Sequence, residues 1–467
     1  MESSLRVLLI ATYELGRQPF GLASPAAWLR EVGCAVSCLD LSREPFRDEL
    51  IRAADLVAFY VPMHTATRLA IELIPAVRER NPRAHLCFYG LYAPVHAAYL
   101  QQLGVQTILG GEVEAQLVAL ARRLQSSNGA DTPLAPARPA ADFVSLERLQ
   151  FRVPDRRGLP PLSDYARLVL AGGERRVVGY TEASRGCKHL CRHCPVVPVY
   201  RGRFRVVARE VVLADIRQQV AAGAEHITFG DPDFFNGPRH ALEIVEALHR
   251  EFPQLTYDVT IKVEQLLRHA ALLPRLRATG CLFVTTAAES VDDAVLARLE
   301  KGHTRADFLR ALALCRRVGL ELHPTFVPFT PWTTLEGYAE LLRVIAEQDL
   351  TENVAPVQLA IRLLIPAGSR LLELAEVREL VEPFDAAALV YPWRNPDPRV
   401  DALQDQVQEI VHRSEALGRS RTQTFVRIWR AAAAALAQAR QQPLPPLPEA
   451  VLRSRATIPY LNEPWYC

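Results

Sequence analysis

The sequence offers no apolar run long enough to cross a bilayer. Its opening, MESSLRVLLIATYELGRQ, holds only a short apolar stretch and reads as a first strand rather than a secretory leader. Charge bias is also lacking. A formal net charge of +2 gives no pull toward nucleic acid or anionic membrane. Nine cysteines scattered over 467 residues do not make the dense framework of a small secreted scaffold, so the expectation is a reducing, cytoplasmic setting. No internal repeat of fixed period is visible. What is present, 49% hydrophobic and 23% charged residues, describes a globular chain long enough for two or three domains.

Short apolar runs alternate with amphipathic ones through RVLLIAT, SPAAWLREVG, AVSCLDL, DLVAFYV, RLAIELIPAVRERN, HLCFYG and QTILGGE. Strands separated by helices at these lengths predict a doubly wound, Rossmann-like parallel sheet over residues 1–125. Small residues and prolines in QSSNGADTPLAPARPAADF mark a linker and connecting arm over 126–176. From about Val177 the alternation restarts with roughly six strand and helix pairs, which predicts a partial (β/α)6 barrel over 177–370, with chemistry at the carboxyl ends of its strands. A mostly helical region, 371–467, ends in FVRIWRAAAAALAQARQQ, PLPPLP and IPYLNEPWYC. The fold class is therefore α/β.

The densest chemical signal is EASRGCKHLCRHCPV, which sets Cys187, Cys191 and Cys194 on one loop after a strand. Chance placement of two further cysteines at such offsets falls below about one percent over nine starting points. Zinc held with His189 or His193 is one reading, although structural zinc usually clips two separated ligand pairs. Iron–sulfur clusters normally take four thiolates. Three leave one iron open for a small chelating molecule.

At these residues the chain resembles the radical S-adenosylmethionine (SAM) superfamily, and its Arg-Gly-Cys opening is similar to the subgroup with a cobalamin-binding domain ahead of the barrel. The resemblance implies a 4Fe–4S cluster on the three cysteines, with SAM on the open iron and one-electron cleavage to a 5′-deoxyadenosyl radical. His193 stands where many members carry an aromatic near the adenine. Asp231 and Asp233 in TFGDPDFFNGP fall where members hold the SAM ammonium; Asp-Pro-Asp is also ordinary turn chemistry. Glu289 in VTTAAESVDD would accept from the ribose hydroxyls or the ammonium, with Ser290 capping the next helix. In VTIKVE, Lys262 and Glu264 share one face of a strand, either pointing inward or paired together. His323 and Arg362 would face substrate or be locally satisfied.

PFGLASPAAWLREVGCAVSCLDLS and ILGGEVEAQL look like the first and last parts of that subgroup's cobalamin domain, where Gly110 and Gly111 would let backbone approach a bulky ligand. Tyr13, Gly21, His64 and Gly90 would lie around the same pocket. The subgroup's Asp-x-His-x-x-Gly loop is missing, since YELGRQ follows the first strand, so no lower cobalt ligand is evident. The domain would hold cobalamin or retain the fold without it. The terminus EPWYC resembles a group of radical SAM proteins ending Cys-Sec-Ala-Glu-Pro or Cys-Cys-Ala-Glu-Pro, with Cys467 where the chain would continue through a selenocysteine codon. Expected partners are a small-molecule or peptide substrate and an electron donor such as flavodoxin or ferredoxin, with neither nucleic acid nor membrane. The competing reading is a non-catalytic iron–sulfur or zinc protein that senses redox state or binds a partner.

Overall fold

The computed structural model describes residues 4–126, 143–440, 446–452 and 459–462. Five strands open the chain: β1 (Arg6–Ala11), β2 (Ala35–Asp40), β3 (Leu56–Tyr60), β4 (His85–Tyr89) and β5 (Thr107–Gly111). They are mostly apolar, and β1 after Arg6, β3 before Tyr60 and all of β4 are buried, as a helix-covered parallel sheet requires. On β1, Leu8 and Ile10 join one core while Val7, Leu9 and Ala11 join the other. The period-2 alternation of side chains thus feeds two separate helix layers. The spatial order is β2-β1-β3-β4-β5-β6, with every pairing parallel. Chain direction across the sheet reverses between β1 and β3, and a ligand crevice opens beyond the carboxyl ends of strands at such a switch point.

The connecting arm is built into the structure rather than hung between two halves. Strand β6 (Val144–Ser145) extends the first sheet, and Tyr165 donates to buried Asp40 at 2.8 Å. Arg156 bridges Asp215 at 2.9 Å and the Tyr180 carbonyl at 2.6 Å.

The second sheet holds β7 (Arg167–Val169), β8 (Arg175–Thr181), β11 (His226–Phe229), β12 (Thr256–Thr260), β13 (Cys281–Glu289), β14 (Glu321–Phe326) and β15 (Tyr460–Leu461). Two short antiparallel strands, β9 (Ser184–Gly186) and β10 (Phe204–Val206), pair beside it. Order across the large sheet is β14-β13-β12-β11-β8-β7-β15, and β8 through β14 run parallel. The sixth barrel position is reduced to one parallel bridge, Phe329 with Arg362. At the other edge β15 pairs antiparallel with β7. Leu461 then packs with Val178 and Phe283. The carboxyl-terminal helices Pro398–Ala416 and Arg421–Arg440 contribute Val407, Ile428 and Trp429 to the main core. Among the described residues no helix is long and apolar enough to cross a membrane.

Candidate active site

The cysteine loop follows β9. Gly186, the residue before Cys187, has φ +74°, and a Cβ there would strike the Tyr200 ring and the Arg203 carbonyl, so only glycine lets the loop turn. Cys187 and Cys191 are buried, and Cys194 is partly so. Burial pushes the Cys187 thiol up to about 11 and Cys194 up to about 12. A metal would therefore have to draw the protons off. Two ammonium groups stand ready to balance the resulting charge. Lys262 Nζ lies 3.6 Å from Cys191 Sγ, and the charge of buried Lys301 is felt at Cys194. The histidines that could complete a zinc site are engaged elsewhere: His189 meets Asp233 at 3.1 Å, and His193 meets Glu289 at 3.1 Å. Among the described residues no three His, Cys, Asp or Glu side chains converge as a single-ion site requires. The donor set is three sulfurs facing two lysines.

Glu289 ends β13 with φ +65°, a left-handed conformation that costs a non-glycine residue about 1–3 kcal/mol. Its carboxylate is pinned by Lys301 Nζ at 3.2 Å and by His193. Burial alone would raise its pKa, but Lys301 and His193 outweigh it and hold the group well below the usual carboxylate range. Neighbouring Ser290 does not cap the next helix. Asp292 does, accepting from the Ala294 and Val295 N–H groups, while Ser290 Oγ accepts from Asp292 N–H at 3.0 Å and so holds the cap in place. Asp231 spends both oxygens on the approach to the cysteine loop, taking Ala183 N–H at 2.9 Å and Ser184 Oγ–H at 2.6 Å. Burial still pushes it up to about 7. Asp233 caps the short turn Phe234–Asn236 through Phe235 N–H. Lys262 and Glu264 do not lie on a strand. β12 stops at Thr260, and Lys262 is the N-cap of helix Val263–Arg268 with Glu264 in its first turn, 3.9 Å away.

Beyond the carboxyl ends of β1, β3, β4 and β5, a cleft of about 200 Å³ opens toward the cysteine loop. Tyr60, Tyr89, Tyr180 and Phe20 give it aromatic walls, and Gly21, Gly90 and Gly111 line it. Gly110 is placed differently, because the absence of its Cβ makes room for Pro94. Gly111, at φ +74°, also passes too close to the Ser145 carbonyl to carry a side chain. Tyr13 and His64 are not among the lining residues, and His64 Nε2 is bonded to the Ala388 carbonyl at 2.7 Å. Glu14 enters the cleft with a buried, unpartnered Oε2, and burial raises its pKa well above the ordinary carboxylate value. Arg185, two residues before Cys187, ties cleft to loop. It reaches Glu114 at 2.7 Å, Glu112 at 3.3 Å and Glu182 at 2.9 Å, and lies over the Phe151 ring.

Residues 181–343 match the model of the Radical SAM superfamily. This chain carries a radical SAM domain. The superfamily's members are enzymes that work with a 4Fe–4S cluster and SAM. The chain is 28% identical over 191 residues to the tRNA-2-methylthio-N(6)-dimethylallyladenosine synthase of Geobacter sulfurreducens, covering 38% of this chain and 41% of that protein. It is 24% identical over 327 residues to the hopanoid C-3 methylase of Methylococcus capsulatus, covering 68% of this chain and 62% of the relative. The chain thus spans about two fifths to three fifths of the length of these relatives. Among solved structures, the cobalamin-dependent SAM radical enzyme OxsB, with aqua-cobalamin and SAM bound, superposes at a TM-score of 0.67 and 15% identity, over 88% of this chain and 67% of that one. At that identity the likeness shows the fold.

Several residues of the radical SAM domain escaped the sequence reading. Lys301 was legible only as the Lys-Gly after a helix, and Arg185 only as part of the motif Arg-Gly-Cys. Asp258, with no motif around it, lies inside the barrel. His323 stacks on Phe283 with ring centres 4.3 Å apart, whereas Arg362 is fully occupied by Asp401, the Trp393 carbonyl and the Trp393 ring. Cys467 lies outside the described residues.

Proposed function

We propose that this chain is a SAM-cleaving enzyme whose cluster is held by Cys187, Cys191 and Cys194, and that its first sheet holds cobalamin for methyl transfer or rearrangement on a small substrate. One observation carries the reading: the crevice beyond the first sheet opens directly onto the cysteine loop, through Arg185 and the paired strands β9 and β10. When bound, the cluster would supply one electron to SAM and the corrinoid would supply a methyl carrier. The chain's own residues do the holding. Lys262 and Lys301 offset charge beside the sulfurs. Glu289 offers a carboxylate that cannot swing, because its backbone is fixed and Lys301 and His193 both hold it. Asp231 anchors the backbone that leads into the cysteine loop. Glu14 offers the cleft a buried carboxyl oxygen that a hydrogen bond with a large ligand would satisfy, and among the described residues the cleft lining contains no histidine to serve as a lower cobalt ligand. Support for methyl transfer is the hopanoid methylase relative; support for cobalamin is the fold of OxsB. The eight described cysteines are free thiols, which favours a reducing cytoplasmic setting with a flavodoxin or ferredoxin as reductant.

Anaerobic reconstitution tests this. Iron and sulfide are expected in the full-length protein, with 5′-deoxyadenosine formed from SAM and reductant, and both are expected to vanish in Cys191→Ala. Tightly held zinc without sulfide would overturn the reading. Incubation with hydroxocobalamin, read by visible absorption after desalting, decides the corrinoid separately.

A further inference from the structure

Inside the barrel, below the cysteine loop, lies a second polar chamber of about 170 Å³. It meets the upper cleft at Arg17 and Gly230, which line both. Radical chemistry at the rim could therefore reach a molecule held in the lumen. The register explains the lining. Asp258, Thr285 and His323 occupy inward positions on three successive strands, Thr285 opposite His323 and Asp258 opposite Phe283, two residues before Thr285.

These groups are not fully satisfied by the protein. Asp258 is 4% exposed and takes His226 Nε2 at 2.9 Å and Thr228 Oγ1 at 2.6 Å, both on Oδ1. That pairing explains one oxygen and leaves Oδ2 for the chamber. His323 keeps a buried Nε2 with no hydrogen-bond partner. Burial and the charge of Arg421 hold its imidazole neutral, near 3. A buried polar atom without a partner costs about 1–3 kcal/mol. An open nitrogen beside a half-used carboxylate, both lining one chamber, is an arrangement that a ligand can complete. On the opposite wall the chamber is closed by the carboxyl-terminal region. Arg421 packs over Tyr460 at 4.3 Å and donates to the Glu352 carbonyl, bringing a fixed positive charge to the lumen.

One buried carboxylate, the guanidiniums of Arg17 at the mouth and Arg421 on the far wall, a neutral imidazole and four threonines in one chamber match a zwitterion and mismatch a lipid. We propose that the barrel lumen binds a free α-amino acid, with its ammonium on Asp258 Oδ2 and its carboxylate toward Arg421. The assignment of this amino acid as substrate rests on the enzymatic reading above, but its binding does not.

The test is calorimetric titration of the cluster-reconstituted, full-length protein, without SAM, against the twenty common L-amino acids and the 2-hydroxy acids matching them in side chain. At least one amino acid is expected to bind saturably, with its 2-hydroxy counterpart about tenfold weaker or more, because the site's carboxylate would lose its cation. Asp258→Asn is expected to weaken that binding by about tenfold or more, and His323→Leu, which breaks no pairing of the fold, by several-fold. If Asp258→Asn does not fold, the His323→Leu result stands alone. Failure of every amino acid to bind, equal binding of the 2-hydroxy acid, or unchanged affinity in the variants overturns the proposal. Binding without any 5′-deoxyadenosine formation would instead sink the enzymatic reading and leave this site standing.

Discussion

The rim and the lumen of the barrel solve opposite problems with the same residue types. At the rim three charged groups are answered within the chain: Arg185 by three glutamates, Glu289 by Lys301 and His193, Asp231 by Ala183 and Ser184. In the lumen Asp258 is half answered and His323 Nε2 not at all. Paired groups fix a geometry, and open ones wait for a ligand. Substitutions at the rim should then cost stability, and substitutions in the lumen should not.

The largest break is expected at Arg185. Its side chain is 12% exposed, with Glu112 at 0% and Glu114 at 1%. Arg185→Met leaves two buried carboxylates without their cation, and loss of one partner from a buried pair costs about 3–5 kcal/mol. Chemical denaturation of the cluster-free protein should show it, together with poor cluster loading, because the same residue leads into Cys187. Arg185→Lys should recover only part, since one ammonium cannot fork among three acids.

Next in size is Glu289→Gln, which strands buried Lys301. We expect a loss of about 2–3 kcal/mol in the same assay and at least tenfold weaker SAM binding by equilibrium dialysis. Gly111→Ala should follow at about 2 kcal/mol, since it combines a left-handed backbone with a collision at Ser145. Its effect should fall on the first sheet and on any corrinoid uptake, leaving SAM cleavage in place.

How much of this was written in the sequence differs between the two regions for a physical reason. Strand and helix alternation exposed both sheets, because burial on both faces forces continuous apolar runs that a reader can count. The cysteine loop was legible because its spacing is local. Lys262 was misassigned to a strand because VTIKVE alternates like one, yet β12 ends at Thr260 where the chain turns to cap a helix. Ser290 was assigned the cap that Asp292 makes two residues later, since both residues suit an N-cap and only backbone geometry chooses between them. Of the lumen only His323 was singled out, as facing substrate or locally satisfied. Asp258, Thr285, His323 and Arg421 come from four separate elements, and no spacing in the chain records that register brings them together.

The smallest expected effect sharpens the comparison most, because its sign is reversed. His323→Leu should leave stability at pH 7 unchanged or raise it by up to about 1 kcal/mol, since relief of an unpartnered buried nitrogen offsets the lost stacking on Phe283. The pH dependence supplies a second readout. An ordinary histidine takes up its proton near 6.5, whereas folded His323 refuses it until about 3. Between those values the unfolded chain binds a proton that the folded chain does not, so this residue draws stability down as pH falls below about 6.5. Leucine has nothing to protonate. The variant should therefore lose stability less steeply than wild type between pH 6.5 and 4, by up to one proton's worth of slope, in denaturation curves collected across that range. A variant less stable than wild type at pH 7, with an unchanged slope, would mean that His323 is held by the protein after all and that the lumen is as fully paired as the rim.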